Sequence, residues 1–582
     1  MLLINFRDTS GATTKCRMIA LLLGGLFLGG CGTGKPVLPE GRSEHILVNQ
    51  VGYLPGASAQ IILTQRPEGG EFYLMDSSGA ARLATLPLAL DSLVWPSAGQ
   101  TVWPQEITAP RAAGHYRFLV PGLGYSAPFA VGDAVYQDPF LASVKALYYQ
   151  RASTALPERY AGKWQRPLGH PDTAALYHPS SGKEKGTLDS PKGWYDAGDY
   201  NKYVVNGAFP LGQYFALYED IGDPVPDGQL NIPESDNGVS DYLDEMRWEM
   251  DWLLTMQDDD GGLFHKLTTK EFEAMVMPHE ARRQRYVVGK GTAATLNFAA
   301  AAAQGARIFA DIDSVYAADL VRRAEMAWAW ALLHPAVAYT NPADIKTGEY
   351  GDKNFTDEWY WAGAELFVTT GKAPYLAYLR SHPAPLHFKG GSWTSFMGLL
   401  GCFSLLRHPE KVPAEIYAPI RMRCLEVADS IAATSLEHPY RLPMTKFAWG
   451  SNSDLLNAAM VTAAAYQLSP EQRYLQHITD VVDYVLGKNP TGYSFLTGFG
   501  SRSPMFIHHR QSAADGIAEP VPGLLSGGPN SGQQDRQQAQ YPPDVAPMKS
   551  WVDQQASYAS NEIALNWNAP LSYILAWVQV NR

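Results

Sequence analysis

Asp196 and Asp199 lie three residues apart, on either side of an Ala-Gly pair, in the stretch Gly193-Trp-Tyr-Asp-Ala-Gly-Asp-Tyr-Asn-Lys-Tyr203. Paired carboxylates among aromatic rings suit a sugar. The rings can stack on the apolar faces of pyranoses, while the carboxylates bind hydroxyls or take a proton from water. The intervening Gly lets the backbone bend so that both acids face one small ligand. A generic Asp-x-x-Asp segment also fits a surface turn held by Asx hydrogen bonds, and the surrounding Trp and Tyr weigh against that plain reading. A second cluster, residues 557–568, carries Glu562 at the expected first turn of an apolar helix. There it serves either as an acid or as a complement to the helix dipole. A third, residues 504–510, is a loop rich in hydrogen-bond donors that ends in His508, His509 and Arg510.

Other chemistries find little support. The chain has no His-Glu-x-x-His, no Gly-x-Ser-x-Gly elbow and no Walker phosphate loop, so zinc protease, serine esterase and P-loop enzyme are disfavoured. The 582 residues are 46% hydrophobic and 18% charged, against about 25% charged in typical soluble domains. That apolar content, with 15 Trp, 31 Tyr and 21 Phe, excludes a disordered chain. A formal charge of −12 and the lack of a basic run disfavour nucleic acid as a partner. Four scattered cysteines form neither a disulfide scaffold nor a zinc cluster; Cys402 and Cys424 read as buried thiols or as a pair.

The elements that must position these residues fall into three parts. Lys15 and Arg17 precede a short apolar run at 18–28, as in a secretory signal, and the run is too short to span a bilayer. From 43 to 131, short β-rich runs separated by turns predict a β-sandwich. Beyond residue 138 the pattern is helical, with expected helices at 241–257, 292–304, 314–333, 357–370, 414–435, 453–468, 470–486 and 561–580. Gly305 reads as a helix stop. No literal repeat is present, so one large helical domain with its function in long loops is expected.

The segment at 193–207 resembles the Asp-Ala-Gly-Asp segment of glycoside hydrolase family 9. Ser494-Phe-Leu-Thr497, Gly500, Arg502 and Ile507-His508-His509-Arg510 fit one signature of that family. Trp551, Asp553, Tyr558, Glu562, Ala564 and Asn568-Ala569 fit another. Gly527-Gly-Pro-Asn530 and Asn231-Ile-Pro-Glu-Ser235 match as well, and Val48-Asn-Gln-Val-Gly-Tyr53 resembles the immunoglobulin-like module that precedes the catalytic domain in one subgroup. Leu28-Gly-Gly-Cys31 resembles a bacterial lipobox.

These resemblances imply a multidomain chain: a lipoprotein signal peptide at 1–31, a tether at 32–43, an Ig-like β-sandwich at 44–133 and an all-α (α/α)6 barrel at 138–582. They imply an inverting hydrolase of β-1,4-glucosidic bonds in cellulose fragments, cellodextrins or mixed-linkage β-glucan. Asp199 would be the general base, Asp196 its partner in holding the water, and Glu562 the general acid. His508, Arg510, Tyr558 and Trp359 would bind sugar, with Trp361 a further stacking candidate. No cofactor is required for the chemistry. A structural Ca2+ at Asp357 and Glu358 is a secondary expectation, because the loop at 349–358 offers hard oxygen ligands and family members often hold calcium at the matching pair. The same two acids would also complement a helix dipole. Cys31 would carry the lipid, and Gly32 in place of Asp favours outer-membrane sorting of a monomeric enzyme in a Gram-negative bacterium. The alternatives are an exo-β-D-glucosaminidase and a non-catalytic glycan-binding lipoprotein.

Overall fold

The structure, a computed structural model, describes residues 41–385 and 396–581. The expected signal segment, Cys31 and most of the tether lie outside the described residues.

The first part is built from β1 (Ile46–Leu47), β2 (Gly52–Tyr53), β3 (Ser58–Leu63), β4 (Glu71–Asp76), β5 (Arg82–Pro87), β6 (Leu93–Trp95), β7 (Gln100–Thr108), β8 (Gly114–Val120), β9 (Gly124–Tyr125) and β10 (Phe129–Val131). They form two sheets, ordered β1-β3-β7-β6 and β2-β10-β8-β4-β5, with β9 on β8. Alternation along β8 turns Tyr116 and Phe118 inward, and Phe118 stacks on Phe129 with centroids 5.1 Å apart. Period-two alternation buries one face of each sheet against the other.

The helices are α1 (Gln137–Gln150), α2 (Glu158–Ala161), α3 (Val204–Ile221), α4 (Asp241–Thr255), α5 (Thr292–Phe309), α6 (Ser314–Leu333), α7 (Thr356–Thr370) and α8 (Ala373–Ser381). After them come α9 (Met397–Arg407), α10 (Ala414–Glu437), α11 (Ser451–Leu468), α12 (Gln472–Val485), α13 (Arg510–Ala514) and α14 (Leu565–Val580). Among the described residues, α3, α5, α7, α9, α11 and α14 are buried almost all round and form the inner ring of an (α/α)6 barrel. Their outer partners are α4, α6, α8, α10, α12 and α1, so the first and last of these helices close the ring together. A helix buried on all sides has little amphipathic signal, whereas α10 keeps Ile416, Ile420, Cys424, Ala428 and Ile431 on one inward face. Cys402 and Cys424 are buried free thiols.

Three expectations change. Helix α5 runs through Gly305 to Phe309, because a Cβ at 305 would sit 3.1 Å from the Phe215 ring; the glycine admits a neighbouring helix rather than ending its own. The last helix begins at Leu565, not at 561, which leaves Glu562 outside it. A small sheet also interrupts the helices. It consists of β11 (Ala175–Tyr177), β12 (Thr187–Leu188), β13 (Lys202–Tyr203), β14 (Lys266–Thr268) and β15 (Tyr286–Val287), ordered β12-β11-β15-β14-β13. Strands of two or three residues show no readable alternation.

The sandwich keeps a core of its own between its sheets, around Phe72, Phe118 and Phe129, and meets the barrel through Leu47, Leu54, Ile62 and Val102, which pack into the cluster that contains the helices. Asn49 joins them through polar contacts. Its Nδ2 donates to Asp483 Oδ1 at 2.9 Å, and its Oδ1 accepts the Val51 and Gly52 amides at 3.0 and 3.1 Å. Gln50 N donates to Leu486 O at 2.9 Å, and Gln50 Nε2 to Gly492 O at 2.8 Å. Burial pushes the Asp483 carboxyl up to about 7. Asn49→Ala would strand that acid and two amides, so stability should fall by about 2–3 kcal/mol, read from the urea unfolding midpoint.

Candidate active site

The Asp-Ala-Gly-Asp segment enters the barrel mouth just before α3, and buried acids hold it there. Glu249 of α4 accepts the Trp194 backbone amide at 2.6 Å, and Glu245 accepts Trp194 Nε1 at 2.8 Å. Arg151 balances this cluster, reaching Glu245 at 2.9 Å and Glu234 at 3.0 Å. From the other side, Leu565 N donates to Asp196 O at 3.0 Å, and Ala197 bridges Ala564. The segment and the Glu562 strand are therefore registered by backbone.

Gly198 is where they touch. A Cβ there would lie 2.0 Å from His508 O and 3.2 Å from Glu562 Oε1. Close approach is what requires glycine at 198, not the backbone bend expected above. Arg510 seals the junction, with its backbone N–H and Nη1 both donating to Gly198 O, at 3.1 and 2.8 Å.

The two aspartates are held differently. Asp196 has both oxygens occupied: Asn206 Nδ2 donates to Oδ1 at 2.6 Å and Tyr350 OH to Oδ2 at 2.8 Å. Burial, and then the charge of Asp199, push its carboxyl well above the usual range. Asp199 Oδ2 accepts from Asn201 Nδ2 and, at 3.2 Å, from Tyr203 OH. Asn201 cannot turn its amide round, because its Oδ1 already accepts the Thr269 N–H at 3.0 Å. Among the described residues Asp199 Oδ1 receives no hydrogen bond, so that oxygen is left for water or substrate.

Glu562 sits on an extended segment, and its carbonyl accepts the Gly527 N–H at 2.9 Å. Burial raises its carboxyl strongly, Asp199 and Asp196 add to the rise, and Arg510 and the Gly198 N–H oppose it. It is thus built to be protonated at neutral pH. The adjacent histidines divide. His508 donates Nδ1–H to Gln555 O at 2.7 Å, which turns Nε2 to the cleft as an acceptor, and burial lowers its pKa to about 4, so the ring is neutral. His509 is fully enclosed, bonded to Gln150 Oε1 at 3.0 Å and Ser512 Oγ at 2.9 Å, and supports the wall.

These groups line a cleft of about 740 Å³ that also takes in Phe272, Trp449, Asp454, Tyr558 and Trp567. Tyr558 sits on a turn before the Glu562 segment, and its ring meets Trp449 at 5.5 Å and His508 at 6.0 Å. Trp359 is corrected: it lies outside the cleft, edge-on to Trp328 at 4.8 Å and stacked on Tyr378 at 5.8 Å. Trp361 is fully buried. Trp449, Phe272, Tyr350 and Asp454 were missed from sequence. Trp449 and Phe272 are 42% exposed, and nothing local marks an exposed ring as such. Asp357 and Glu358 lie in the first turn of α7 and do not line the cleft.

A protonatable acid facing a pair of aspartates, across a barrel-end cleft walled by aromatics, defines a glycoside hydrolase that works by acid–base catalysis. The comparisons agree. Residues 136–575 match the model for Glycosyl hydrolase family 9, and 42–125 match the Cellulase N-terminal ig-like domain. The chain is 38% identical over 582 residues to the xyloglucan-specific endo-beta-1,4-glucanase BoGH9A of Bacteroides ovatus, covering 95% of this chain and 97% of that protein. It is 33% identical over 596 residues to Endoglucanase D of Acetivibrio thermocellus, covering 98% and 87%. A Bacteroides ovatus GH9 structure superposes with a TM-score of 0.85 at 35% identity, covering 92% of this chain and 98% of that one. AaCel9A in complex with cellobiose-like isofagomine gives 0.82 at 30% identity, covering 92% and 100%. The chain belongs to glycosyl hydrolase family 9.

Because the 198 Cβ has no room, Gly198→Ala should push Glu562 and His508 away from the aspartates. We expect kcat to fall by about a hundredfold or more, with the circular dichroism spectrum retained.

Proposed function

We propose that the protein hydrolyses β-1,4-glucosidic bonds in a β-glucan, such as cellulose fragments, cellodextrins or mixed-linkage glucan, with inversion at the anomeric carbon. The observation that carries this is the asymmetry of the carboxyls: Asp199 has one oxygen free in the cleft, and Glu562 is held protonated across Gly198. Asp199 takes a proton from water as that water attacks the anomeric carbon. Glu562 gives its proton to the departing glycosidic oxygen. Asp196, its own oxygens spent on Asn206 and Tyr350, orients the segment and the water. His508 Nε2 accepts a sugar hydroxyl, Arg510 donates beside it, and Tyr558, Trp449 and Trp567 give stacking faces. The names of the relatives, a xyloglucan-specific endoglucanase and an endoglucanase, support a β-1,4-glucan backbone as substrate.

Asp199→Asn and Glu562→Gln should each lower kcat on barley β-glucan by about a thousandfold or more, with Glu562→Gln retaining more activity on activated aryl glycosides. The pH profile should be bell-shaped. Activity falls as pH drops through the base and falls again as pH rises through the raised Glu562, so Glu562→Gln removes the alkaline limb. Release of glucosamine alone, from chitosan oligomers and from nothing else, would overturn the glucan reading.

We infer a structural role for Ca2+ at the start of α7. Glu358 is buried with neither carboxylate oxygen accepting a hydrogen bond, and Asp357 Oδ2 and Asp352 Oδ2 are likewise unpartnered. Burial raises both Asp357 and Glu358; the charge of Asp357 adds to the rise at Glu358, and that of Asp352 adds to both. Hard oxygens left bare in this way fit a calcium ion, which would neutralise the pair and brace α7. A chelator should lower the unfolding temperature, and excess Ca2+ should restore it, but not in Glu358→Gln. The lipobox-like Leu28-Gly-Gly-Cys31 supports export and lipid anchoring at Cys31, with Gly32 favouring the outer membrane.

A further inference from the structure

Asp196, Asp199, Glu349 and Glu562 all face one cleft, and a base among so many acids needs a cation. Arg510 serves the Glu562 side. The other side is served from β14. Lys266 is opposite Tyr203 in the β13–β14 register, fully buried, with Nζ 5.3 Å from the Tyr203 ring centroid. Tyr203 OH in turn reaches Asp199.

The surroundings of Nζ show which form of the amine the fold accommodates. Three oxygens accept from it: Asn341 Oδ1 at 2.8 Å, Thr347 Oγ1 at 3.1 Å and Gly348 O at 2.5 Å. Three acceptors match the three N–H bonds of an ammonium, whereas a neutral amine would turn its lone pair on one of them. The same oxygens belong to the loop 341–350, which is folded back on itself by Asn341 Nδ2 to Thr347 O at 2.7 Å and Asn341 N to Glu349 Oε2 at 2.9 Å. That loop ends in Tyr350, whose hydroxyl holds Asp196 at 2.8 Å.

We propose that Lys266 is a positioning residue that acts twice: its ammonium supplies positive charge on the Asp199 side of the cleft, and its cradle fixes the loop that presents Tyr350 to Asp196. This rests on Asp199 being the base. Burial lowers the Lys266 ammonium to about 7, and Asp199, Glu349 and Asp196 oppose that fall, so the amine carries its charge on the acid side of neutrality. Tyr203 on the opposite strand, Tyr339 with its ring 5.7 Å from Nζ, and the adjacent His265 complete the titratable surroundings, and His265 is held neutral by burial.

The test is the pH dependence of kcat/KM on barley β-glucan with the full chain. Removing a nearby cation raises the pKa of a carboxylate, so Lys266→Met should move the acid limb upward by about one pH unit. It should also lower kcat about tenfold to a hundredfold while KM stays within about threefold. Lys266→Arg should leave the limb near its native position. Lys266→Gln removes the charge but keeps N–H donors for the cradle, so its limb should move upward as well; this variant decides alone if Lys266→Met is not recovered folded. A native limb in these neutralised variants, or Lys266→Arg moving as far as Lys266→Met, overturns the proposal while leaving the base in place if Asp199→Asn is inactive. Should Asp199→Asn retain turnover, the base assignment falls and this proposal with it.

Discussion

The cleft must keep like-charged carboxyl groups close together, out of bulk water, and in different protonation states. Coulomb repulsion and desolvation both push protons onto such a cluster, and nothing in the aspartate or glutamate side chain itself decides which group receives one. The distinction comes from hydrogen-bond supply. Asp196 is saturated by Asn206 and Tyr350, Asp199 keeps one oxygen open, and Glu562 is relieved by Arg510 and the Gly198 N–H. Each role follows from the count of donors around a carboxyl as much as from burial.

Holding that supply in register is a backbone problem. The segment 193–203 and the Glu562 strand come from opposite ends of the barrel domain, and they meet because α3 and α14 are neighbours in the inner ring. At the meeting point Gly198 lets His508 O come within the space of a missing methyl group. Further support comes from behind. Gly527 O accepts the Asn452 N–H at 3.1 Å while Gly527 N–H is given to Glu562 O, so the start of α11, with Trp449 and Asp454, is tied to the acid through one residue. Aromatic wall and Glu562 are therefore held in one register. The sandwich is part of the same brace, since Asn49 holds Asp483 near the end of α12 and Gln50 the turn after it, which leads to the Leu496–Leu525 bridge.

Much of this was legible in the sequence, for identifiable reasons. The sandwich showed itself through alternation around Tyr116 and Phe118, and α6 and α10 through one-sided apolar spacing. Helices α3, α9 and α14 of the inner ring give a weaker signal, because a helix buried all round has no polar face to set its period, and neither α3 nor α9 is among the expected helices. The boundary at Leu565 was misplaced because Asn561-Glu562-Ile563-Ala564 has a helix-compatible composition, while its backbone is committed to bridges with His508, Ser526 and Ala197. Partners more than 30 residues away decided that segment, and no local propensity carries such information. The five-stranded sheet escaped for the same reason, although it supplies Tyr203 and Lys266 to the site.

The aromatic residues show the limit most clearly. Family signatures contain Tyr558, and it lines the cleft; Trp359 was chosen by type and lies in a cluster with Trp328 and Tyr378 behind the ring. Whether a Trp packs or binds depends on which face of which helix pair it reaches. A chain with 15 Trp offers too many equivalent candidates for type alone to choose. Trp449 lines the cleft because Gly450, at φ 81°, ends the preceding loop and lets the Trp567 indole nitrogen come within 2.6 Å of a would-be Cβ, so both rings share one wall. The charge-poor composition fits the same picture. A double ring of helices needs apolar residues on both sides of its inner wall, and a sugar cleft needs aromatic faces. The few carboxyls that remain inside are affordable only where donors such as Asn206, Tyr350, Tyr203 and Arg510 are already built around them.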